Sequence, residues 1–372
     1  MIVSADLHIH SLFSMASSKK MLPTAILAAS SLKGLQVIGT GDALHPQWRQ
    51  YWDDTPSDDI LVVPTTEVED KNRVHHLILM PDMDSCKTLG SCLEGFSKNI
   101  KTNGRPHVRL SGEEIAQYVH ENGGMIGPAH AFTPWTSLYA AWDCVRACYG
   151  DESIDLLELG LSADSGYGSS ISELTRVPFL TNSDAHSPHP AKIGREFTMI
   201  KVRTCSVPSF FDAVQHGSIT MNAGFFPEEG KYNRTACIRC YQLYTRTEAH
   251  EQGWRCRSCG GRIKKGVQDR AEELSDISPV PRPPYLHIIP LYDIIKIVLG
   301  VSSSQTKKGD QLYTRLTDTL GDEIGILTRL NCDEIRHVHE RVGNAIDALR
   351  NGNVILHPGG GGRYGSFEIP VQ

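Results

Sequence analysis

MIVSADLHIH, residues 1–10, opens the chain with a short apolar run that ends in two histidines spaced by one residue. Side chains alternate faces along a β-strand, so a strand here would point His8 and His10 the same way at its C-terminal end. TNSDAH, residues 181–186, closes another apolar run with the same device, Asp184 and His186, again two apart. Imidazoles and carboxylates converging at strand ends are the side chains that hold transition-metal ions.

Working outward, seven apolar runs have strand character: Ile2–Ile9, Gln36–Asp42, Ile60–Glu67, Val74–Met80, Met125–His130, Ile154–Gly160 and Val177–Asp184. Helical patterns lie between them. Ser111 and Glu114 form a capping box that opens a helix over Ser111–Asn122, and Gly123-Gly124 stops it. Such alternation predicts a parallel β/α architecture, either a barrel or an open doubly wound sheet. Strand C-termini are where a barrel of this class gathers its active site. Asp42, Glu67, His75 and His130 are read as further candidates at the ends of other runs. Together with His8, His10, Asp184 and His186 they make eight candidate ligands of oxygen and nitrogen type, the makeup of multinuclear hydrolytic sites.

The 372 residues are 40% hydrophobic and 22% charged, which describes a soluble globular chain of two or three domains. The start carries no basic leader followed by an apolar run. The most apolar stretch, Leu286–Val301, is interrupted by Pro290, Asp293 and Lys296. No membrane partner and a cytoplasmic location are expected from these two features. The net charge of −6 hides an asymmetry: residues 231–266 hold nine Lys or Arg against two Glu, a formal +7, leaving −13 elsewhere.

That basic segment carries Cys237-Ile238-Arg239-Cys240 and Cys256-Arg257-Ser258-Cys259, two CxxC pairs with fifteen residues between them. Four thiolates at this spacing predict a closed, structural zinc site. Basic residues interleave there with Tyr241, Tyr244 and Trp254, a pattern suited to phosphate contact and base stacking. Arg255, Arg257, Lys264 and Lys265 are the expected DNA contacts. Prolines at 279, 281, 283 and 284 mark a linker, and Leu291, Ile294, Ile295, Val298, Ile335, Val338, Val342 and Ile346 recur at helical spacing beyond it. The tail, HPGGGGRYG over 357–365, lacks a following helix and so is no dinucleotide fingerprint. Its glycines beside Arg363 and Tyr364 suggest amides presented to a nucleic-acid backbone.

Taken together, the HxH pair, the acid of the second run, Glu67, His75 before Leu77, Gly127-Pro128-Ala129-His130 and Ser183-Asp184-Ala185-His186 resemble the PHP (polymerase and histidinol phosphatase) superfamily. That resemblance implies a distorted seven-stranded β/α barrel and up to three metals hydrolysing phosphoesters. Two positions depart from its pattern. Ala16 stands where an aspartate often follows the first motif, and Thr40-Gly41-Asp42 replaces the usual Thr-Asp-His. His45 is a candidate substitute, and of the adjacent His75 and His76 the spacing to Leu77 favours His75. The succession of barrel, four-cysteine ribbon, helical segment and glycine-rich tail is similar to the endonuclease Q family over essentially the whole chain.

The family resemblance implies incision of DNA 5′ to deaminated bases (hypoxanthine, uracil, xanthine) and abasic sites by metal-activated water. The expected divisions are a phosphoesterase domain at 1–228, a zinc ribbon at 229–268 and a mainly helical DNA-binding domain with the tail at 269–372. Expected cofactors are two or three divalent ions in the barrel (Zn, Mn or Fe, with Mg as a further candidate) and one zinc in the ribbon. Asp184 and His186 are the expected catalytic pair. Damaged DNA is the expected partner, and a sliding clamp is a second candidate. The alternatives are a small-molecule phosphatase of the histidinol-phosphate type and a non-catalytic DNA-binding protein on a decayed barrel.

Overall fold

The computed structural model describes residues 1–57, 59–301, 303 and 306–370. All seven apolar runs contain a strand. Ile2–Asp6 lies inside a six-stranded sheet, parallel to Val37–Gly39, which in turn is parallel to Leu61–Val63. On its other side Ile2–Asp6 pairs antiparallel with Phe197–Lys201, followed by Ile219–Gly224 and Tyr285–His287. Pro64, which has no N–H to donate, separates Leu61–Val63 from Thr65–Glu69. Past it the chain enters a three-stranded antiparallel sheet with His75–Leu79 and Met125–Pro128. A parallel pair, Leu157–Glu158 with Phe179–Leu180, follows. Backbone hydrogen bonds link the arcs, from Met80 N to Pro64 O (2.8 Å), Asp155 N to Ile126 O (2.9 Å) and Ala131 N to Glu158 O (2.8 Å).

The purely parallel expectation is thus corrected: the sheets are mixed. Only Asp70–Val74 separates Glu69 from His75, and a parallel pair needs a crossover of a dozen or more residues. The turn is held instead by Asp70 Oδ1, which accepts from Asn72 N and Val74 N, both at 2.8 Å. The expected helix is present as Gly112–Glu121, and both halves of the Ser111/Glu114 capping box form.

The C-terminal part is helical as expected: Leu291–Leu299, Lys307–Leu320, Glu323–Thr328, Cys332–Val338 and Glu340–Arg350. Ile294, Ile295, Val298, Leu316, Ile335, Val342 and Ile346 share one buried cluster. The expected division at 269, however, falls within the helix Val267–Leu274, whose Val267 and Ala271 belong to the N-terminal core. Tyr285–His287 likewise completes the main sheet, so the separate helical core begins near 290. No helix among the described residues is long and apolar enough to cross a membrane.

One buried ion pair joins the two bodies. Lys33, the last residue of the helix Pro23–Lys33, donates to Glu323 Oε1 at 2.6 Å, and both residues are fully buried. Glu323 also accepts from Leu291 N and Tyr313 Oη, each at 2.9 Å. Removing one member of such a pair strands the other charge away from water. Lys33→Met is therefore expected to destabilise the protein by about 3–5 kcal/mol in chemical denaturation. A loss below about 1 kcal/mol would show that the pair does not hold the two bodies together.

Candidate metal centre

The two sequence pairs that open and close the N-terminal part lie side by side. A backbone bridge pairs Ile9 with Ala185, and His10 N donates to Ala185 O at 2.9 Å. Asp184 Oδ1 consequently sits 3.2 Å from His10 Nε2, 3.9 Å from His8 Nε2 and 3.4 Å from His186 Nε2. From the opposite arc, Glu67 reaches between two groups of imidazoles. Its Oε1 lies 2.7 Å from His75 Nδ1 and 3.0 Å from His130 Nε2, and its Oε2 lies 3.2 Å from His10 Nε2. The donors form two sets, His8–His10–Asp184 and Glu67–His75–His130, each compact enough to surround one ion. Glu67 faces both.

A ligand histidine needs its second nitrogen held so that the first offers a lone pair. His8 Nδ1 donates to Glu158 at 2.9 Å, and His10 Nδ1 donates to Asp42 Oδ1 at 3.1 Å. His186 Nδ1 is 2.8 Å from Ser17 Oγ. The Nε2 atoms of His8 and His10 are buried and have no hydrogen-bond partner. Unpartnered buried imidazole nitrogens aimed at carboxylates fit a cation between them. In its absence burial opposes the imidazolium, but Glu158 and Glu67 outweigh it and hold His8 well above the ordinary histidine range. Asp42, His130 and Asp184 have positive φ, at 51°, 34° and 47°. Left-handed backbone at a non-glycine residue costs about 1–2 kcal/mol, and here it clusters at the site.

Six of the eight expected ligands fall in the two compact sets; Asp42 and His186 do not. Asp42 Oδ1 holds His10, and its Oδ2 accepts from Ser11 N (2.7 Å), Ser11 Oγ (2.5 Å) and Ser14 Oγ (2.8 Å). Asp42 stands behind a ligand rather than among them. His45 does not compensate, because it caps the helix Pro46–Asp53 and stacks on Phe13. His186 neighbours Asp184 but lies outside both compact sets. His75 departs from the strand-end rule because its strand runs antiparallel: the start of that strand, opposite Glu69, lies at the site.

Three neighbours were not singled out from sequence. Glu158 accepts from His8 Nδ1, Asn182 Nδ2 and His130 N, and as the near-terminal acid of the sixth apolar run it follows the rule that located Glu67. Glu69 is 3.1 Å from His75 Nε2 and could have been read from its two-residue spacing to Glu67. Arg105 Nη1 donates to Glu67 Oε2 at 3.1 Å from a loop whose sequence carries no comparable signal.

In the ribbon, Cys237 Sγ lies 3.5 Å from Cys259 Sγ, and Cys240 Sγ lies 3.5 Å from Cys256 Sγ. All four thiols form one group, and Tyr244 Oη donates to Cys256 Sγ at 3.1 Å. The four-cysteine set fits zinc, for which tetrahedral thiolates stand about 3.7 Å apart at ~2.3 Å bonds. Arg255, Arg257, Arg363 and Tyr364 are exposed. Lys264 and Lys265 are engaged internally: Lys264 Nζ sits 3.9 Å over the Trp135 ring, and Lys265 Nζ pairs with Glu273 at 2.6 Å. The tail is not free backbone. Ile355–His357 and Ser366–Glu368 form a hairpin, and the amides of Gly359, Gly360, Gly362 and Gly365 all donate to protein carbonyls. At Gly361, φ is 66° and a Cβ would approach Cys237 O to 2.3 Å, so the run fits tight packing on the ribbon.

Replacing Glu158 with Gln keeps the size but removes the carboxylate behind His8. Metal affinity is expected to fall about 10- to 100-fold, with far-UV circular dichroism unchanged. Competition with a chromophoric chelator measures it; wild-type affinity would mean that Glu158 does not orient His8.

A family model described as the MJ0043 C-terminal domain matches residues 290–353. The uncharacterized protein MJ0043 of Methanocaldococcus jannaschii is 40% identical over 271 residues, 71% of this chain. The chain spans about a third, 34%, of that protein's length. The crystal structure of the lesion-specific endonuclease Q of Pyrococcus furiosus is 44% identical, with a TM-score of 0.95, covering 100% of this chain and 96% of that one. An endonuclease Q complex with a 27-mer duplex substrate carrying an abasic lesion at the active site is also 44% identical, with a TM-score of 0.93 and coverage of 100% and 97%. Whole-length likeness at this identity extends through the metal cluster, the ribbon and the helical part, and on that ground the chain belongs to the endonuclease Q family.

Proposed function

We propose that this protein is a lesion-directed DNA endonuclease that hydrolyses the phosphodiester 5′ to deaminated bases (hypoxanthine, uracil, xanthine) and to abasic sites. The observation that carries the reading is the paired donor sets sharing Glu67, in a chain similar throughout to an endonuclease Q seen on abasic DNA. His8, His10 and Asp184 would hold one divalent ion and Glu67, His75 and His130 another, with His186 at the open side. The nitrogen and oxygen donors suit Zn, Mn or Fe. Divalent ions there supply a water of lowered pKa and offset the charge that grows on the phosphodiester.

The chain's own groups do the rest. Glu158 and Asp42 fix the rings of His8 and His10 before substrate arrives. Asp184 and His186, each with a side chain 33% exposed, are the members of the cluster open to a bound strand. Arg105, with 26% side-chain exposure and its guanidinium beside Glu67, is placed to take a phosphate oxygen. Trp135, half exposed on the loop that follows His130, offers a ring face to a base. Arg255, Arg257 and Arg363 are exposed cations of the ribbon and tail, and they are the better candidates for phosphate contact than the engaged Lys264 and Lys265.

A labelled duplex with one uracil, hypoxanthine, xanthine or abasic residue tests the reading: nicking 5′ to the lesion, with metals added, is expected, and hydrolysis of histidinol phosphate is not. Asp184→Asn is expected to cut slower by on the order of 10³-fold with the fold retained. Near wild-type nicking by that variant would remove Asp184 from the catalytic cluster. No lesion-dependent nicking by the wild-type enzyme would end the endonuclease reading.

Phosphate contacts position an enzyme without reading bases. Changing Arg255, Arg257 and Arg363 together to Ala is expected to weaken lesion and intact duplexes by similar factors. The slope of log K against log salt should become shallower by up to about 0.9 per contact. Binding titrations of both duplexes across a salt series measure this, and an unchanged slope would assign these arginines to the solvent.

A further inference from the structure

His76 follows the cluster residue His75 on the same strand and therefore projects from the other face, away from the hydrolytic site. There it is fully buried with Asp70, and Cys148 is 5% exposed. His76 Nδ1 is 2.6 Å from Tyr149 Oη, and Asp70 Oδ1 is occupied by the amides of Asn72 and Val74. The two remaining atoms, His76 Nε2 and Asp70 Oδ2, face each other at 3.5 Å, and neither has a hydrogen-bond partner.

That separation exceeds the usual N–H···O range of about 2.7–3.2 Å. It is close to the N···O edge of a tetrahedral site with bonds of ~2.0–2.1 Å, which is about 3.3 Å. Cys148 joins them: one donor atom from each of Asp70, His76 and Cys148 lies within 4.8 Å of the other two. Gly112 leaves room beside it: a Cβ there would stand 2.7 Å from Cys148 Sγ and 3.0 Å from His76 Cε1.

We propose that Asp70, His76 and Cys148 form a further metal site, for a thiophilic divalent ion such as Zn²⁺ or Fe²⁺, separate from both the hydrolytic cluster and the ribbon. His76 ligates through Nε2 while Nδ1–H donates to Tyr149 Oη, the usual arrangement behind a metal-bound imidazole. Asp70 ligates through Oδ2, and Cys148 loses its S–H proton to solvent on binding. One tetrahedral corner is left for a non-protein donor such as water. The site ties the hairpin that carries Glu67, Glu69 and His75 to the helix Val145–Tyr149, and so acts as a structural brace.

The test uses the full chain with Cys237, Cys240, Cys256 and Cys259 all changed to Ser, so that no ribbon thiol remains, loaded with Co²⁺. Beyond the ribbon, Cys148 is the only cysteine in a metal-ligating group among the described residues. A thiolate-to-cobalt charge-transfer band is expected to persist in this variant and to vanish when Cys148→Ala is added. Absence of the band, or its survival without Cys148, overturns the proposal. Should the ribbon variant fail to fold, elemental analysis of zinc-loaded wild type and Cys148→Ala decides instead. One equivalent fewer in the variant supports the site, and equal counts refute it. Neither readout depends on nicking activity.

Discussion

Glu67 is 1% exposed and faces imidazole on both sides, with the Arg105 guanidinium against one oxygen. Taking a carboxylate out of water costs several kcal/mol unless opposite charge surrounds it. Burial alone would raise its pKa, but His75, His8, His10 and His130 outweigh burial and hold Glu67 well below the usual carboxylate range. The fold around it supplies the compensation. The antiparallel hairpin brings His75 next to it, the loop after Met125–Pro128 brings His130, and the bridged pair His8-Ile9-His10 and Ser183–His186 closes the far side. Each of these elements would leave an unpaired buried charge if it moved.

Behind the ligands lies a second layer of acids and hydroxyls. Glu158 spans His8, Asn182 and the His130 backbone, while Asp42 gathers His10, Ser11 and Ser14. This explains the altered second motif physically. A short aspartate at 42 ends beside the Nδ1 of His10 and has both oxygens satisfied there, so it orients an imidazole instead of offering a free donor. The first-motif departure has a local counterpart: Ala16 takes a left-handed φ of 64°, and its neighbour Ser17 supports His186.

The appendages are bound to the N-terminal body by polar contacts that hydrophobic periodicity does not report. Lys33 and Glu323 pair across the boundary in full burial, and the glycine amides of the tail donate to the carbonyls of Glu228, Glu229 and Lys231 and to its own turn. The ribbon's own apolar core holds only Cys237, Tyr244, Ala249, Cys256 and Ile263. So small a core, with Trp254 packed against it, is of the kind that a structural ion held by the four thiols would stabilise. Its positive charge stays outward on Arg255 and Arg257, whereas Lys264 and Lys265 turn inward onto Trp135 and Glu273.

Sequence alone determined the local features whose cause is local. Alternation of side chains paired His8 with His10 and Asp184 with His186, the CxxC spacing marked the four thiols that gather in the ribbon, and the Ser111/Glu114 box set a helix start. Each apolar run located strand backbone, and helical spacing found the C-terminal core. Tertiary structure decided strand direction, which rested on the five-residue turn Asp70–Val74 and reversed the end of the strand on which His75 serves. It also decided which acids face the imidazole Nε2 atoms and which stand behind the rings, because Asp42, Glu67 and Glu158 are the same chemistry in sequence and differ only in what their oxygens meet. His75 and His76 make the point within two residues: one strand sends them to opposite faces, one to Glu67 and His130 and the other to Asp70 and Cys148. Long-range partners of that kind are set by packing between segments about 70 residues apart, a distance over which no spacing rule operates.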